Sequence, residues 1–154
     1  YAISGPVLAV LGSHAHPPDT MTVLVQREVA ERIAAKPDTP EWGPLSIRLQ
    51  ARYLPRIVRS VPPELFWPRP RVESAVVRLE RRTNPGEPEA LRRFDALVGE
   101  LFTSRRQSLG RVLARRSGDR EAGLSVLREA GLDPRLRAES LDLTTLLRLA
   151  RLLE

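Results

Sequence analysis

The chain has 154 residues, enough for one ordinary domain or for part of a larger protein. Hydrophobic residues make up 42% and charged residues 29%, a balance typical of a globular protein rather than of a disordered tail. The absence of cysteine excludes disulfides and cysteine-based zinc sites, and no apolar run approaches the ~20 residues of a membrane span. The start lacks a signal-peptide pattern, so we expect a cytoplasmic protein without membrane contact.

The first part of the chain predicts short strands alternating with short helices. Met21–Val25 is a β-prone apolar run that indicates a buried strand, and residues 26–35 have the apolar spacing of a helix that ends before Pro37. Eight of the fourteen prolines lie between Pro37 and Pro70, which excludes a long helix there. Residues 45–51 can still form a short one.

Two further strands are predicted before residue 82. Arg56–Val61 alternates enough for a strand, and Val72–Leu79 has the clearest strand pattern in the chain. The middle of Val72–Leu79 is apolar on both faces, as in a covered sheet. We expect this strand to need neighbours that the chain does not supply, which indicates a truncated α/β domain.

A turn-rich segment then separates a second half in which the period of the apolar residues becomes helical. Residues 83–90 contain Pro85, Gly86 and Pro88 and are predicted to be a linker. Helical stripes follow at residues 91–102, 122–130 and 143–153, and residues 109–113 continue the first stripe or begin a second helix. Gly131 is predicted to end one helix and Asp142 to cap the next. The predicted fold is therefore α/β followed by all-α.

Positive charge is concentrated in this helical half. Eight arginines and three acidic residues give a net charge of +5 between Leu91 and Arg120, whereas the whole chain carries +6. Such a concentration is typical of a surface that binds a polyanion, most often nucleic acid. The alternative is a solvated helix face that only keeps the protein soluble.

Six runs of the sequence share their order and spacing with the motifs of one enzyme family. Tyr1 is similar to the last residue of that family's Asn-Leu-Pro-Tyr motif, with Ile3-Ser4 and Pro6 following in register. Residues 61–79 resemble Val-Pro-x-x-x-Phe-x-Pro-x-Pro-Lys-Val-x-Ser-Ala-Val-Val-Arg-Leu. The other matching runs are Leu24–Arg32, Trp42–Ile47, Phe102–Gln107 and Arg137–Leu141. Together these runs resemble the bacterial small-subunit (16S) rRNA adenine N6-dimethyltransferase family.

The resemblance implies a fragment of an enzyme. Residues 1–82 would be the C-terminal portion of a Rossmann-like methyltransferase domain, residues 83–90 a linker, and residues 91–154 a helical RNA-binding domain. The parent would use S-adenosylmethionine to methylate N6 of two adjacent adenines near the 3′ end of small-subunit rRNA. Its partners would be that rRNA and the assembling 30S subunit, and we expect a monomer.

The resemblance also assigns site residues in the α/β half. Tyr1 would stack on the target adenine, because a flipped base needs an aromatic platform. Phe66 would be the second stacking face of the base pocket, although the same residue could instead plug the core at a strand entrance. Arg69 and Arg71, beside it, would meet RNA phosphates.

In the helical half, the implied RNA contacts are Arg105, Arg106 and Arg111. Phe102–Gln107 resembles the family's Phe-x-x-Arg-Arg-Lys, with Gln107 in place of the lysine, and Gly110-Arg111 stands where the family often has Arg-Asn. We expect Arg106 to share the apolar stripe of the helix, where a charge needs a partner. The alternative for this pair is an internal salt bridge to an acid such as Glu139.

No other chemistry is indicated. His14 and His16 are two residues apart without cysteine nearby, so we expect a solvent loop and no metal site. The glycine-rich loop and the acidic residue that would hold S-adenosylmethionine are not found in the chain, so we expect the fragment alone to be inactive. A non-catalytic basic module that binds RNA or the ribosome stays open as the alternative. A DNA-binding helical domain would need base-reading side chains on one helix, and no clean set is present.

Overall fold

The computed structural model describes residues 3–153, which contain seven α-helices and three β-strands. In chain order the elements are α1 (Ser4–Ser13), β1 (Thr20–Gln26), α2 (Arg27–Ile33), α3 (Pro44–Arg52), β2 (Tyr53–Val61), β3 (Ser74–Arg81), α4 (Pro88–Thr103), α5 (Leu109–Ser117), α6 (Arg120–Glu129) and α7 (Leu143–Leu152). Their contacts form two compact units. The first runs up to Ala35 and resumes over Leu45–Pro85, and the second combines Lys36–Pro44 with the chain from Gly86 onward.

The first unit is built on an antiparallel sheet with the strand order β1-β3-β2. β3 is the central strand, and its Val77 lies opposite Val23 of β1 and Ile57 of β2. Both neighbours of β3 therefore come from this chain, and the prediction that the strand lacks them is wrong. The edge strand β2 tolerates Pro55 because an edge residue need not donate a hydrogen bond on its outer side.

Helices cover one face of this sheet. The buried apolar cluster comprises Leu8, Met21, Val25, Ala30, Ile33, Leu49, Tyr53, Ala75, Val77 and Leu79. α1 was not predicted from the sequence, because residues 7–11 are all apolar and show no helical period. Its outward side chains Val7 and Val10 stay exposed, as do Leu54 and Val58 of β2.

The second unit consists of α4, α5, α6 and α7, which confirms the prediction of an all-α half. α4 buries Leu91, Phe94 and Leu101, and it begins at Pro88, inside the span predicted as linker. Gly131 follows α6 with a φ of 65°, and Asp142 caps α7 by accepting a hydrogen bond from the Thr145 amide. Across residues 3–153 no helix has both the length and the apolar character needed to cross a membrane.

One segment of the second unit comes from far away in the sequence. Lys36–Pro44 lies between α2 and α3, yet it groups with the helices. Trp42 is 1% exposed, and its indole Nε1 donates to the Leu141 carbonyl oxygen at 3.0 Å. The Asp38 amide donates to the Glu139 carbonyl oxygen at 3.1 Å. The helical unit is therefore discontinuous in sequence, which the predicted division did not include.

Candidate nucleic-acid interface

In the first unit, the proline-rich loop 62–73 joins β2 to β3. The two ends of the loop meet where Val61 pairs with Ser74 in the sheet. Prolines at 62, 63, 68 and 70 restrict the backbone, and a 3₁₀ turn at Pro63–Leu65 opens the loop. The Phe66 amide donates to the Pro63 carbonyl oxygen at 3.2 Å. The prolines thus fix four φ angles of the loop and restrict the residues that precede them.

Arg27 holds the other end of this loop. Its amide donates to the Glu73 carbonyl oxygen at 2.9 Å, and its Nη1 lies 2.5 Å from the Glu73 carboxylate. Its Nε also binds Glu31 at 2.9 Å. Hydrogen bonds raise the pKa of Arg27 above its ordinary value, and the one to Glu73 contributes more than the one to Glu31. The guanidinium is therefore held at the loop's base by two carboxylates.

The predicted site residues of the first unit differ in their surroundings. Phe66 is half-buried, so the structure leaves room for both of its predicted roles. Arg69 is exposed and paired with Glu64. Arg71 is exposed, and its guanidinium has no hydrogen-bond or ion-pair partner within residues 3–153. Tyr1, the predicted stacking residue, lies outside the described residues.

The loop also displays an aromatic residue that sequence reasoning did not select. Trp67 is 97% exposed, next to the half-buried Phe66. Because Phe66 has an extended backbone, successive side chains leave the chain on opposite sides. Trp67 therefore projects away from the side that Phe66 occupies, and Leu65 in the preceding 3₁₀ turn is also exposed, at 66%.

In the second unit, the turn 104–108 between α4 and α5 carries Arg105 and Arg106. Arg105 Nε donates to Glu139 Oε2 at 2.8 Å, which is the internal salt bridge considered as the alternative for this pair. Arg106 is exposed and lies in the turn, not on the apolar stripe of a helix. The expectation that Arg106 shares the stripe is wrong because α4 ends at Thr103, before the stripe could reach it.

Most of the other arginines of the cluster have internal partners. Arg92 Nε donates to Glu89 at 2.9 Å, and the hydrogen bond from Arg92 lowers the pKa of Glu89. Arg115 donates to the Ser104 hydroxyl at 2.7 Å, and Arg116 pairs with Glu100. Arg92 and Arg105 pair with Glu89 and Glu139, two acids outside residues 91–120, so part of the net charge concentrated here is compensated within the fold.

Arg106 and Arg111 differ from these neighbours. Both are exposed, and neither guanidinium has an ion-pair or hydrogen-bond partner in the described part of the chain. Arg111 lies in the first turn of α5, just after the close approach of Gly110 to Pro134. They are the predicted contacts of this unit that remain available to a ligand.

The same end of α5 lies against a segment that sequence reasoning did not assign to the site. The Leu109 amide donates to the Leu136 carbonyl oxygen at 2.8 Å, and the Gly110 amide to that of Pro134 at 2.9 Å. These bonds place residues 134–137 beside the start of α5. The side chains of Arg135 and Arg137 are exposed and unpaired within residues 3–153. Arg137 opens one of the six matching runs, which was the available signal.

The two histidines are local features of a loop. Both are exposed, with ring centroids 6.4 Å apart, and His14 Nδ1 accepts a hydrogen bond from the His16 amide at 3.1 Å. Among residues 3–153, no group of three or more His, Cys, Asp or Glu side chains is placed to hold a metal ion.

Comparison with known sequences gives a consistent result. Residues 1–153 match the family model described as ribosomal RNA adenine dimethylase. Ribosomal RNA small subunit methyltransferase A of Acidothermus cellulolyticus is 42% identical over 129 residues, which cover 84% of this chain and 44% of that protein. The protein of the same name from Lactobacillus johnsonii is 36% identical over 154 residues, 100% of this chain and 52% of its own length. The chain thus spans about half the length of these relatives.

Solved structures share the fold. A dimethyladenosine transferase from Plasmodium falciparum superposes with a TM-score of 0.82 at 21% identity, over 97% of this chain and 62% of its own. The 23S rRNA methyltransferase ErmE superposes with a TM-score of 0.72 at 26% identity, over 99% of this chain and 62% of its own. The predicted fold, the C-terminal part of a methyltransferase with a helical unit, is confirmed. Motifs, fold and sequence matches agree, and the chain belongs to the ribosomal RNA adenine dimethylase family.

Proposed function

We propose that this chain acts as the C-terminal portion of an S-adenosylmethionine-dependent rRNA adenine dimethyltransferase. The whole enzyme would methylate N6 of two adjacent adenines near the 3′ end of small-subunit rRNA, on assembling 30S subunits in the cytoplasm and as a monomer. Family membership over residues 1–153 supports this, together with a length about half that of the relatives. The exposed apolar side chains of α1 and β2 are consistent with a neighbouring segment that would cover them.

The observation that carries the RNA-binding part is the contrast among the arginines of the helical unit. Arg105, Arg115 and Arg116 have internal partners. Arg106 and Arg111 have none among the described residues, and their exposed guanidinium groups can meet phosphate oxygens. Arg135 and Arg137, brought to the same end of α5, extend the surface. We assign Arg105 a structural role, in contrast to the sequence-based assignment.

In the first unit the proposed role is to wall the target base. Phe66 would stack on the flipped adenine together with Tyr1, because a base removed from its helix is held between aromatic faces. The exocyclic amine is a poor nucleophile, since its lone pair is delocalised into the ring. A rigid aromatic wall would hold that amine in one orientation, and Arg71 would contact a nearby phosphate.

The residues of this chain do not fit the site of the cofactor. S-adenosylmethionine would supply the methyl group in the whole enzyme, and a glycine-rich loop after a strand normally holds it. No two of the nine glycines in this sequence are two positions apart, so no Gly-x-Gly run is present. We therefore assign no residue of this chain to the cofactor, and expect this chain to bind RNA without catalysing methyl transfer by itself.

The test is binding of this chain to a fluorescently labelled transcript of the 3′ region of small-subunit rRNA. We expect affinity to fall with salt with a log–log slope of about 0.7 to 0.9 per phosphate contacted. A DNA duplex of equal length should compete poorly. Salt-independent binding, or equal competition by DNA, would contradict the proposal. Calorimetry with S-adenosylmethionine should show no heat of specific binding. Binding with micromolar affinity would contradict the assignment of the cofactor site to residues outside this chain.

A further inference from the structure

The two tryptophans of the chain lie in opposite environments. Trp42 is 1% exposed and Trp67 is 97% exposed. Tryptophan is highly buried on average, so an indole in almost full contact with solvent is an unusual surface feature. Leu65 and Val72, at 66% and 44% exposure, lie in the same loop 62–73. The loop therefore exposes a large apolar ring together with two aliphatic side chains.

The backbone that displays Trp67 is restrained on both sides. Prolines at 62, 63, 68 and 70 limit its torsions, the loop closes on the Val61–Ser74 pair, and Arg27 binds both the carbonyl oxygen and the carboxylate of Glu73. A ligand that contacts the indole would therefore meet a loop whose backbone is already restrained in the free protein, which lowers the entropy cost of binding.

The charges of the segment that carries the indole favour an anionic occupant. Residues 56–73 hold four arginines and two glutamates. Both glutamates are engaged, Glu64 by Arg69 and Glu73 by Arg27. The guanidinium groups of Arg56, Arg59 and Arg71 are exposed and unpaired within residues 3–153. A flat, exposed aromatic ring in a segment with uncompensated arginines is the combination that binds single-stranded nucleic acid, through base stacking and phosphate contacts.

Phe66 and Trp67 cannot serve the same base. The extended backbone at Phe66 sends consecutive side chains to opposite sides, and Phe66 is half-buried whereas Trp67 faces solvent. We propose that Trp67 is a stacking platform for an unpaired base of the RNA other than the base that is methylated, with Arg71 contacting an adjacent phosphate. This inference rests on the proposed function, since it requires that the chain binds RNA.

Fluorescence of the two tryptophans tests the inference directly. The Trp67→Phe variant retains only Trp42, so the difference between the wild-type and variant spectra reports on Trp67. A single-stranded oligoribonucleotide of about ten nucleotides should quench the Trp67 component, while a fully paired RNA duplex of the same length should not. The buried Trp42 should be unaffected by either RNA.

Affinity, measured separately by anisotropy of the labelled single strand, should fall about tenfold in Trp67→Ala and much less in Trp67→Phe, which keeps an aromatic face. Leu65→Ala, which removes an exposed apolar side chain from the same loop, should bind as the wild type does. Melting temperatures should be alike for all variants, because neither side chain is buried.

The outcomes separate this inference from the function on which it rests. If the labelled single strand binds but the Trp67 emission and the affinity of Trp67→Ala do not change, the inference is wrong and RNA binding stands. Equal quenching by the duplex would also overturn it. If Trp67 emission changes with protein concentration without RNA, the indole contacts protein instead. If no RNA binds the wild-type chain, the proposed function fails as well.

Discussion

The indole Nε1 of Trp42 and the carbonyl oxygen of Leu141 are joined by a hydrogen bond of 3.0 Å across 99 positions of the sequence. Both residues are buried, and Trp42 belongs to a segment that lies between two helices of the first unit in the sequence. The helical unit therefore takes a core side chain from outside its own continuous sequence. A fragment cut at Gly86 would lack that side chain and expose the apolar surface it covers.

We expect Trp42→Ala to lower the free energy of unfolding of the helical unit by about 3–5 kcal/mol, because it removes a large buried ring. Trp42→Phe should cost about 1–3 kcal/mol, since it leaves the Leu141 carbonyl oxygen without its donor. Urea denaturation followed by circular dichroism measures both changes. Trp67→Phe is the matched control and should shift stability by less than about 0.5 kcal/mol. Equal effects at the two tryptophans would contradict the role of Trp42.

The sequence predicted the helices and strands of this chain better than it predicted their partners. The spacing of apolar residues and the turn residues are local signals, and they located α4, α6, α7 and the central strand β3 within a few residues. They gave no indication that Trp42 packs with the helices rather than with the sheet. A single buried aromatic residue in a proline-rich segment produces no repeating pattern of apolar residues that could reveal its partner. α1 was missed for the opposite reason, since its continuous apolar run fits either a strand or a buried helix.

The pair Arg105 and Arg106 provides a second prediction. Arg106→Ala combined with Arg111→Ala should weaken RNA binding and reduce the salt slope by roughly one to two units, because exposed phosphate contacts are lost. Arg105→Ala should leave that slope unchanged and lower stability by only about 0.2–1 kcal/mol, because its partner Glu139 is a partly exposed carboxylate.

Glu139→Gln is the control for Arg105, since it removes the same ion pair from the other side. It should reproduce the small stability loss of Arg105→Ala and leave the salt slope unchanged. RNA binding measured by anisotropy at several salt concentrations compares all the variants. If Arg105→Ala lowers the salt slope as much as the loss of Arg106 does, then Arg105 contacts RNA and its pairing with Glu139 gives way to phosphate.

This distinction between neighbouring arginines could not be made from the sequence. Both residues occupy the same signature, both are charged, and the choice between an RNA contact and an internal salt bridge depends on an acid 34 positions away. The turn after Thr103 also rotates Arg106 away from the apolar stripe that a continuous helix would have given it. Which acid pairs with which arginine across such a separation in sequence is decided by tertiary packing. The spacing of apolar residues and the local charge do not reveal it.

Gly123 provides a prediction about packing. A Cβ atom at this position would lie 2.6 Å from the Ala114 amide nitrogen and 2.7 Å from the Leu113 carbonyl carbon, both of them backbone atoms of α5. Because backbone cannot yield as a flexible side chain does, Gly123→Ala should force α5 and α6 apart and cost about 3 kcal/mol. Thermal denaturation measures the loss. Gly43→Ala is the control, because no atom lies within 4 Å of its added Cβ. A neutral Gly123→Ala would show that the helices can separate without cost.

Asp142 gives the last prediction, which concerns pH. Hydrogen bonds from Thr145, first from its side chain and then from its backbone amide, hold the pKa of Asp142 below its ordinary value of 3.8. Because the folded-state pKa is the lower one, the ionised cap stabilises the fold above the unfolded-state pKa, and this contribution is lost as the pH falls through the folded-state value.

Asp142→Ala should cost about 1 kcal/mol at neutral pH, since the first turn of α7 loses its cap. Asp142→Asn can still cap the helix but carries no charge, so its stability deficit relative to the wild type should shrink as the pH falls below about 4. Because the carboxylate is exposed, solvent screening keeps this difference small, and it is best measured by urea denaturation of both proteins at a series of pH values. A deficit of Asp142→Asn that grows as the pH falls would reverse the sign and contradict the capping role of the charge.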